Sequence, residues 1–313
     1  MTHSDQIDVL LATYNGGAFL SEQIDSILNQ THRQLRLIIR DDGSQDHTKA
    51  LLEEYAKKFP SKIKLFPFDR NLGTTANFSS LMAQASASYI MFSDQDDVWN
   101  RDKIEITLNK IKQLENRYST NHPLLVHTDL AVANDQLELI SPSFWKYSRL
   151  NPSYGYALNR LLVQNVVTGC TIMINSPLLK LVTPLPKEAV LHDWWIALVA
   201  SARGKIDSLP SQTMLYRQHK KNVLGATKFW SIKHFIHQLK TFFSPENHKT
   251  SQATALLLHH GFYLSPDHKK TVSAFLELSK SSWFKRRLLI LKHRFFYSDM
   301  LRNLVNVLLK PHP

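Results

Sequence analysis

The residues with the most chemistry to offer are acidic and clustered. Asp94-Gln95-Asp96-Asp97 places two carboxylates two positions apart, so on extended backbone they project to one side with Cα atoms about 6.5 Å apart. Such a pair repels an anionic diphosphate unless a hard divalent cation, Mg²⁺ or Mn²⁺, sits between, so a metal is implied. Capping of the following helix by Asp96, Asp97 and Asp102 is the plain alternative. Of Asp41 and Asp42 only one can face a crevice if the strand persists, and Asp42, beside the turn glycine Gly43, is the one expected there. An ordinary Asp-Gly-Ser turn uses the same residues. Asp193 lies between His192 and the pair Trp194-Trp195 at a helix start, where desolvation raises its proton affinity and the helix end lowers it. That suits a general base, and also an N-cap on a helix with buried tryptophans. His219 suits a metal shell or a diphosphate contact and Arg217 suits phosphate charge, although both also fit a solvated strand end. Cys170, the only cysteine, reads as a small buried residue near an acceptor pocket, since no zinc-ligand spacing surrounds it.

These residues need a frame. Ile7 to Thr13 is a branched apolar run of the kind found in strands covered on both faces, and Leu20, Ile24, Ile27 and Leu28 follow at helical spacing. The alternation recurs with Leu35 to Arg40 before a helix near Leu51 to Phe59, Lys62 to Phe68 before one at Thr74 to Ala85, and Tyr89 to Ser93 before Ile104 to Leu114. Four β–α units in succession predict an α/β fold with a mostly parallel sheet and helices on both faces. Further strands are expected at Leu124 to Thr128 and Thr171 to Ile174, and a helix at Trp194 to Ala202. In such sheets ligands sit beyond the carboxyl ends of the strands, so Thr13-Tyr14-Asn15, Asp41-Asp42 and the Asp94 cluster are expected to line one crevice.

Composition sets the outer bounds. With 43% hydrophobic and 20% charged residues over 313 positions, the chain is an ordinary globular protein of one large domain with an appendage, or two domains. One cysteine excludes an internal disulfide and fits a cytoplasmic location. No signal peptide and no apolar run of about 18 residues is found, so no membrane span is expected. The net charge of +12 is unevenly spread: residues 1–216 hold 21 Lys plus Arg against 22 Asp plus Glu (−1), and residues 217–313 hold 17 against 4 (+13). The charge divides at Tyr216, and the chain is expected to split into a front domain of residues 1–226 and a basic, amphipathic helical C-terminal region of residues 227–313, with Phe229, Ile232, Ile236, Leu239 and Phe243 on one stripe. Trp283-Phe284-Lys285-Arg286-Arg287 and Lys292-His293-Arg294-Phe295-Phe296 mix cations with large apolar groups, as helices lying on an anionic membrane do. Packing on the catalytic domain or on a second subunit, as in a homodimer, is the alternative. No motif supports a nucleic-acid partner.

Ala12-Thr13-Tyr14-Asn15-Gly16, Asp41-Asp42-Gly43-Ser44-Gln45-Asp46 and Asp94-Gln95-Asp96-Asp97-Val98-Trp99, each behind a strand, resemble the family 2 inverting glycosyltransferases of the GT-A (Rossmann-like) fold. The likeness continues through Thr168-Gly169-Cys170, His192-Asp193-Trp194-Trp195 and Tyr216-Arg217-Gln218-His219 with Asn222 to Ala226, a set that looks like bacterial rhamnosyltransferases of surface polysaccharide synthesis. It covers residues 5–226, with Asn100-Arg101 where Leu-Pro is more usual. By this resemblance Ala12, Thr13, Tyr14, Asn15, Asp42 and Asp94 bind the nucleotide, and Asp96, Asp94 and His219 hold Mn²⁺ or Mg²⁺. Asp193 is then the base, and Gly169, Cys170, His192, Trp194, Trp195 and Arg217 form the acceptor or sugar pocket. The implied reaction transfers L-rhamnose from dTDP-L-rhamnose to a lipid-linked acceptor of an O-antigen, capsule or cell-wall glycan at the inner face of the plasma membrane. A UDP-hexose or UDP-N-acetylhexosamine donor is the nearest alternative, and a non-catalytic lipid- or nucleic-acid-binding protein the one from another class.

Overall fold

The computed structural model describes residues 5–66, 70–219 and 247–308. Alternating strands and helices open the chain: β1 (Ile7–Thr13), α1 (Leu20–Leu28), β2 (Leu35–Asp41), α2 (Thr48–Lys58), β3 (Ile63–Phe66), α3 (Thr74–Met82) and β4 (Tyr89–Ser93). A two-residue β5 (Val98–Trp99) precedes α4 (Lys103–Tyr118), and β6 (Leu124–Ala133), β7 (Leu139–Ser141), α5 (Phe144–Tyr147), α6 (Leu158–Leu161), β8 (Ile172–Asn175), α7 (Ser176–Val182), α8 (His192–Arg203) and β9 (Lys205–Arg217) follow. The C-terminal helices are α9 (Asn247–His260), α10 (Pro266–Glu277), α11 (Trp283–His293) and α12 (Met300–Leu308).

The strands form one sheet in the order β3-β2-β1-β4-β8-β6-β9-β5, with β7 on β6. β1, β2, β3, β4, β6 and β9 run the same way, and β5, β7 and β8 oppose them. The predicted mostly parallel α/β sheet is thus present, and its strand-to-helix turns collect at one edge. Side-chain alternation divides the core. Leu10, Ile38, Ile90 and Phe92 face a layer containing Phe78, Trp195 and Leu198, whereas Val9, Leu11, Leu37 and Ile39 face Ile24, Ile27, Ile104 and Leu108.

The C-terminal helices add to the first of these layers: Ala253, Leu256, Val272, Phe275, Ile290 and Phe295 are buried in the same apolar cluster as α8. They share the sheet's core rather than building one of their own. The boundary expected at residue 226, the apolar stripe from Phe229 to Phe243 and the segment Asn222 to Ala226 lie outside the described residues.

Two differences from the sequence reading have physical causes. β9 is a thirteen-residue strand through Ser208, Pro210, Ser211 and Gln212, a polar stretch with a proline that offers no strand signal. Its register against β6 jumps from Thr128↔Leu209 to Asp129↔Gln212, so Pro210 and Ser211 stand in a bulge where no ladder bond is needed. The stretch Asp94 to Asp97 is bent rather than extended, so the same-side argument for Asp94 and Asp96 does not apply to it.

Candidate active site

The carboxyl ends of β1, β2 and β4, the N-terminus of α8 and the inner sides of α9 and α12 enclose a cleft of about 750 Å³, a volume typical of small-ligand sites. Ala12, Thr13, Tyr14, Asp42, Asp94, Asp96, Gly169, His192, Asp193 and Trp194 line it, as the sequence suggested. Stretches far apart in the chain therefore meet in one place.

At the β1 end, Gln95 staples two loops. Thr13 Oγ1 and the Tyr14 N–H donate to its Oε1 at 2.7 and 2.8 Å, and its Nε2 donates to the Tyr14 carbonyl at 3.1 Å. Asp42 is the cleft-lining member of its pair. Its Oδ1 accepts from Arg40 Nη1 and the Leu72 N–H, and its Oδ2 from the Gly73 N–H, each at 2.8 Å, so it also ties down residues 71–73. Asp41 points away and accepts from the Gly43 and Ser44 N–H groups, which bend the chain at Gly43 with φ +87°.

The floor of the cleft is acidic. Burial, then the neighbouring Asp96 and Asp193 charges, push the Asp94 carboxyl up to about 7. Asp97 is buried and held well above the ordinary carboxylate range by burial and by Asp96 and Asp94; its Oδ1 accepts from the Arg217 N–H at 3.1 Å, and its Oδ2 has no hydrogen-bond partner among the described residues. Among the described residues the lysine set against them is Lys103, fully buried behind them. It donates to the Cys170 carbonyl at 2.7 Å, lies 4.3 Å from the centre of the Trp99 ring, and is brought down to about 8 by burial. Among the described residues Lys103 sets its charge against Asp94 and Asp97, and Asp96 faces His219; a divalent ion would add positive charge to this acidic floor. Asp94, Asp97 and the Cys170 thiol have donor atoms within 4.8 Å of one another. A protonated thiol is a poor donor for Mg²⁺ or Mn²⁺, and Asp97 lies behind the cleft wall. The donors that open onto the cleft are Asp94 and Asp96, and His219 Nε2 is 2.8 Å from Asp96 Oδ2. Oxygen and imidazole donors fit a hard cation there.

Asp193 is in the first turn of α8. Its Oδ1 accepts from the Trp194 N–H at 2.6 Å and its Oδ2 from the Gly169 N–H at 3.0 Å, with Asn165 as a further partner. Burial outweighs these bonds and pushes the carboxyl up to about 6. His192 beside it stacks on Phe78 at 3.9 Å and Phe92 at 5.4 Å with both ring nitrogens unpartnered among the described residues, and burial brings it down to about 3. It is a neutral aromatic wall.

Four expected site residues are elsewhere. Asn15 faces the Ser44 turn: its N–H donates to Ser44 Oγ at 2.7 Å and its Oδ1 accepts from the Gln45 N–H at 2.8 Å. Cys170 is buried behind the wall beside Asp97 and Asp94. Trp195, one turn position past the cleft-lining Trp194, is 1% exposed and packs against the His259 and His260 rings. Arg217 is a strap rather than a substrate contact, donating to the Asp96 carbonyl at 2.9 Å and the Asp135 carbonyl at 2.6 Å and pairing with Glu22. Each of its three guanidinium nitrogens contacts a protein oxygen. Conversely, the sequence reading quoted Gln95 and Asp97 in the acidic cluster without giving them a site role, and passed over Lys103. Lys103 had a signal: it falls on the buried stripe of α4 with Thr107, Ile111 and Leu114, where a lysine needs an acidic neighbour. Lys249 and Arg302, brought to the cleft by α9 and α12, had none.

A model of glycosyl transferase family 2 matches residues 8–174. The chain is 29% identical over 232 residues to the dTDP-rhamnosyl transferase RfbG of Shigella flexneri, covering 72% of this chain and 76% of that one. It is 31% identical over 109 residues to the putative teichuronic acid biosynthesis glycosyltransferase TuaG of Bacillus subtilis, 35% and 40% of the two chains. Among solved structures, TarS of S. aureus in complex with UDP-GlcNAc superimposes with TM-score 0.53 at 17% identity, over 96% of this chain and 89% of that one. The mannosyltransferase PcManGT of Pyrobaculum calidifontis in complex with GDP-Man and Mn²⁺ gives TM-score 0.56 at 14% identity, over 91% and 73%. With the family matched over more than half its length and a GT-A-like α/β fold presenting an acidic cleft at the strand ends, the chain belongs to glycosyl transferase family 2.

Proposed function

We propose that this glycosyltransferase moves L-rhamnose from dTDP-L-rhamnose to a lipid-linked saccharide acceptor of a bacterial surface polysaccharide, with inversion. The observation that carries the reading is that Asp193, held by Gly169 and Trp194 N–H groups, shares one cleft with Asp94 and Asp96. Asp193 takes the proton of an acceptor hydroxyl, which attacks the anomeric carbon opposite the departing diphosphate, so a single displacement inverts the centre. Thr13, Tyr14 and Asp42 line the end suited to the pyrimidine. Asp94 and Asp96, with His219, would hold Mn²⁺ or Mg²⁺, which when bound supplies charge neutralisation for the diphosphate. The similarity to RfbG supports the rhamnosyl donor. A donor screen tests it: in the presence of Mn²⁺ and a rhamnose- or glucosamine-terminated lipid acceptor, dTDP release from dTDP-L-rhamnose is expected to exceed that of UDP from UDP-hexoses or UDP-N-acetylhexosamines. Release from a UDP-sugar alone would reassign the donor, and release from none would favour a non-catalytic role.

The acceptor reading gains support from α11. Trp283, Phe284, Leu288 and Leu291 are exposed on it beside Lys285 and Lys292. Arg286 and Arg287, expected among the surface cations, are instead buried; Arg287 stacks 3.4 Å from the centre of the Trp283 ring and Phe295 is fully inside. One side of α11 thus packs on the protein, and the other keeps the apolar and cationic groups that suit an anionic cytoplasmic leaflet. No helix among the described residues is long and apolar enough to cross a membrane. A chain carrying Trp283→Ser, Phe284→Ser and Leu288→Ser is expected to lose about tenfold or more in affinity for vesicles containing phosphatidylglycerol, since each large apolar side chain buried in the interface contributes about 1.5–3 kcal/mol. Unchanged vesicle binding, or concentration-dependent dimerisation lost in the variant with no vesicle binding in either protein, would instead make this face solvent or a homodimer contact.

A further inference from the structure

The same cleft carries groups of both signs. Asp94, Asp96 and Asp193 line it, and α9 and α12 bring Lys249 and Arg302 to lining positions with Gln164, Trp194 and Tyr297. Lys249 Nζ donates to the Val163 carbonyl at 2.9 Å, approaches the Tyr297 hydroxyl at 3.4 Å, and lies 6.0 Å from the centre of the Trp194 ring, the residue next to Asp193. Arg302 is less well provided for. Its backbone N–H donates to Asp299 Oδ1 at 3.0 Å, but its guanidinium Nε is buried with no hydrogen-bond partner among the described residues. The carboxylate that faces it, Asp299, also pairs with Arg149 at 3.5 Å. Arg302 and Arg149 thus share one acid, and a buried guanidinium N–H without an acceptor is costly until a ligand supplies one.

We propose that Lys249 and Arg302 form a subsite for a phosphate-class anion carried by the acceptor, such as the phosphate or diphosphate ester joining its saccharide to the lipid. The inference deepens the acceptor reading above and rests on it. A guanidinium fork engages two phosphate oxygens while an ammonium acts as a point charge, and a phosphate ester brings charge for both where one carboxylate answers one. Gln164 accepts from the Ser298 N–H at 2.8 Å through Oε1, which keeps its NH₂ as a neutral donor at the same wall. An anion seated beside Trp194 leaves the attached sugar next to Asp193, so the subsite would set which hydroxyl reaches the base.

Titration of the full-length protein in EDTA tests this without any turnover, using farnesyl diphosphate, inorganic pyrophosphate and farnesol as probes. Wild type is expected to bind farnesyl diphosphate more tightly than farnesol. Arg302→Gln should weaken both diphosphate probes by about tenfold, as loss of a charge-assisted bond does, and Arg302→Lys should restore most of it. Farnesol binding should be the same in all three proteins, which also controls for folding. Farnesyl diphosphate bound more tightly than pyrophosphate identifies the lipid ester as the source of the anion; equal affinity identifies the free phosphate group as sufficient. Diphosphate affinities unchanged in Arg302→Gln, or lowered in step with farnesol, would overturn the subsite. Because no donor sugar enters the experiment, a wrong donor assignment leaves its outcome untouched.

Discussion

Asp193→Asn is expected to lower kcat by about 10²- to 10⁴-fold while the protein stays folded, the range lost when a positioned general base is removed. The geometry explains why folding survives. Asn keeps one oxygen for the Trp194 N–H but turns an NH₂ toward the Gly169 N–H, where Asp193 accepts at 3.0 Å, at a cost of about 1–3 kcal/mol. Against this, the variant no longer holds a buried carboxylate. With its folded value raised to about 6 from 3.8, Asp193 binds its proton more tightly in the native state. Its ionisation therefore weakens the fold, by up to about 3 kcal/mol above pH 6 and not at all below pH 4. The two effects offset at neutral pH, so the melting temperature should stay near wild type at pH 7.5 and fall below it at pH 4. The same value sets the activity profile: wild-type kcat should decline about tenfold per unit below pH 6, as the base becomes protonated. Steady-state rates between pH 5 and 8, paired with melting curves, check both parts. Retention of kcat within about threefold would remove Asp193 from the chemistry, since a general base contributes at least 10²-fold.

That prediction rests on a residue legible from sequence, and the reason lies in how local its surroundings are. Asp193 is fixed by its own helix start and by the Gly169 turn, and β1, β2 and β4 are read from apolar runs that the buried parallel sheet demands. Arg217 shows the opposite case. Its type suggested phosphate, but β9 places it against the Asp96 and Asp135 carbonyls, and β9 itself was hidden because its bulge accommodates Pro210. Trp195 and Trp194 are adjacent and share a composition, yet α8 turns one into the core and the other toward the cleft, a distinction set by which residues of α9 pack against them. Lys249 and Arg302 reach the cleft only because distant helices close over it. No period or motif within their own helices encodes that.

Asp94→Asn is expected to do two opposed things: raise the melting temperature of the metal-free protein and abolish both its response to Mn²⁺ and its turnover. Asp94, Asp96 and Asp97 crowd one floor, Lys103 is a buried counter-charge to it, and Asp97 Oδ2 has no hydrogen bond among the described residues. Charge held in this way works against folding unless a cation joins it. Removing one carboxylate relieves the repulsion on the other two. The sign with pH follows from the Asp94 value, raised to about 7 from 3.8: its penalty is absent below pH 4, grows as pH rises, and is complete above pH 7. Wild type in EDTA should therefore melt lower at pH 8 than at pH 5 by more than Asp94→Asn does. Mn²⁺ at 100 times its dissociation constant should stabilise wild type by about 2.7 kcal/mol, a rise of roughly 5 °C or more. The variant, lacking a cleft-facing donor, should show little of that rise, and its sugar-transfer rate should fall by about 10²-fold or more because the leaving diphosphate is then poorly neutralised. Melting scans at both pH values, with EDTA or Mn²⁺, separate these effects. An Mn²⁺ response in Asp94→Asn equal to that of wild type would place the cation elsewhere, and a lower melting point in EDTA would mean that Asp94 is a structural acid rather than a strained ligand.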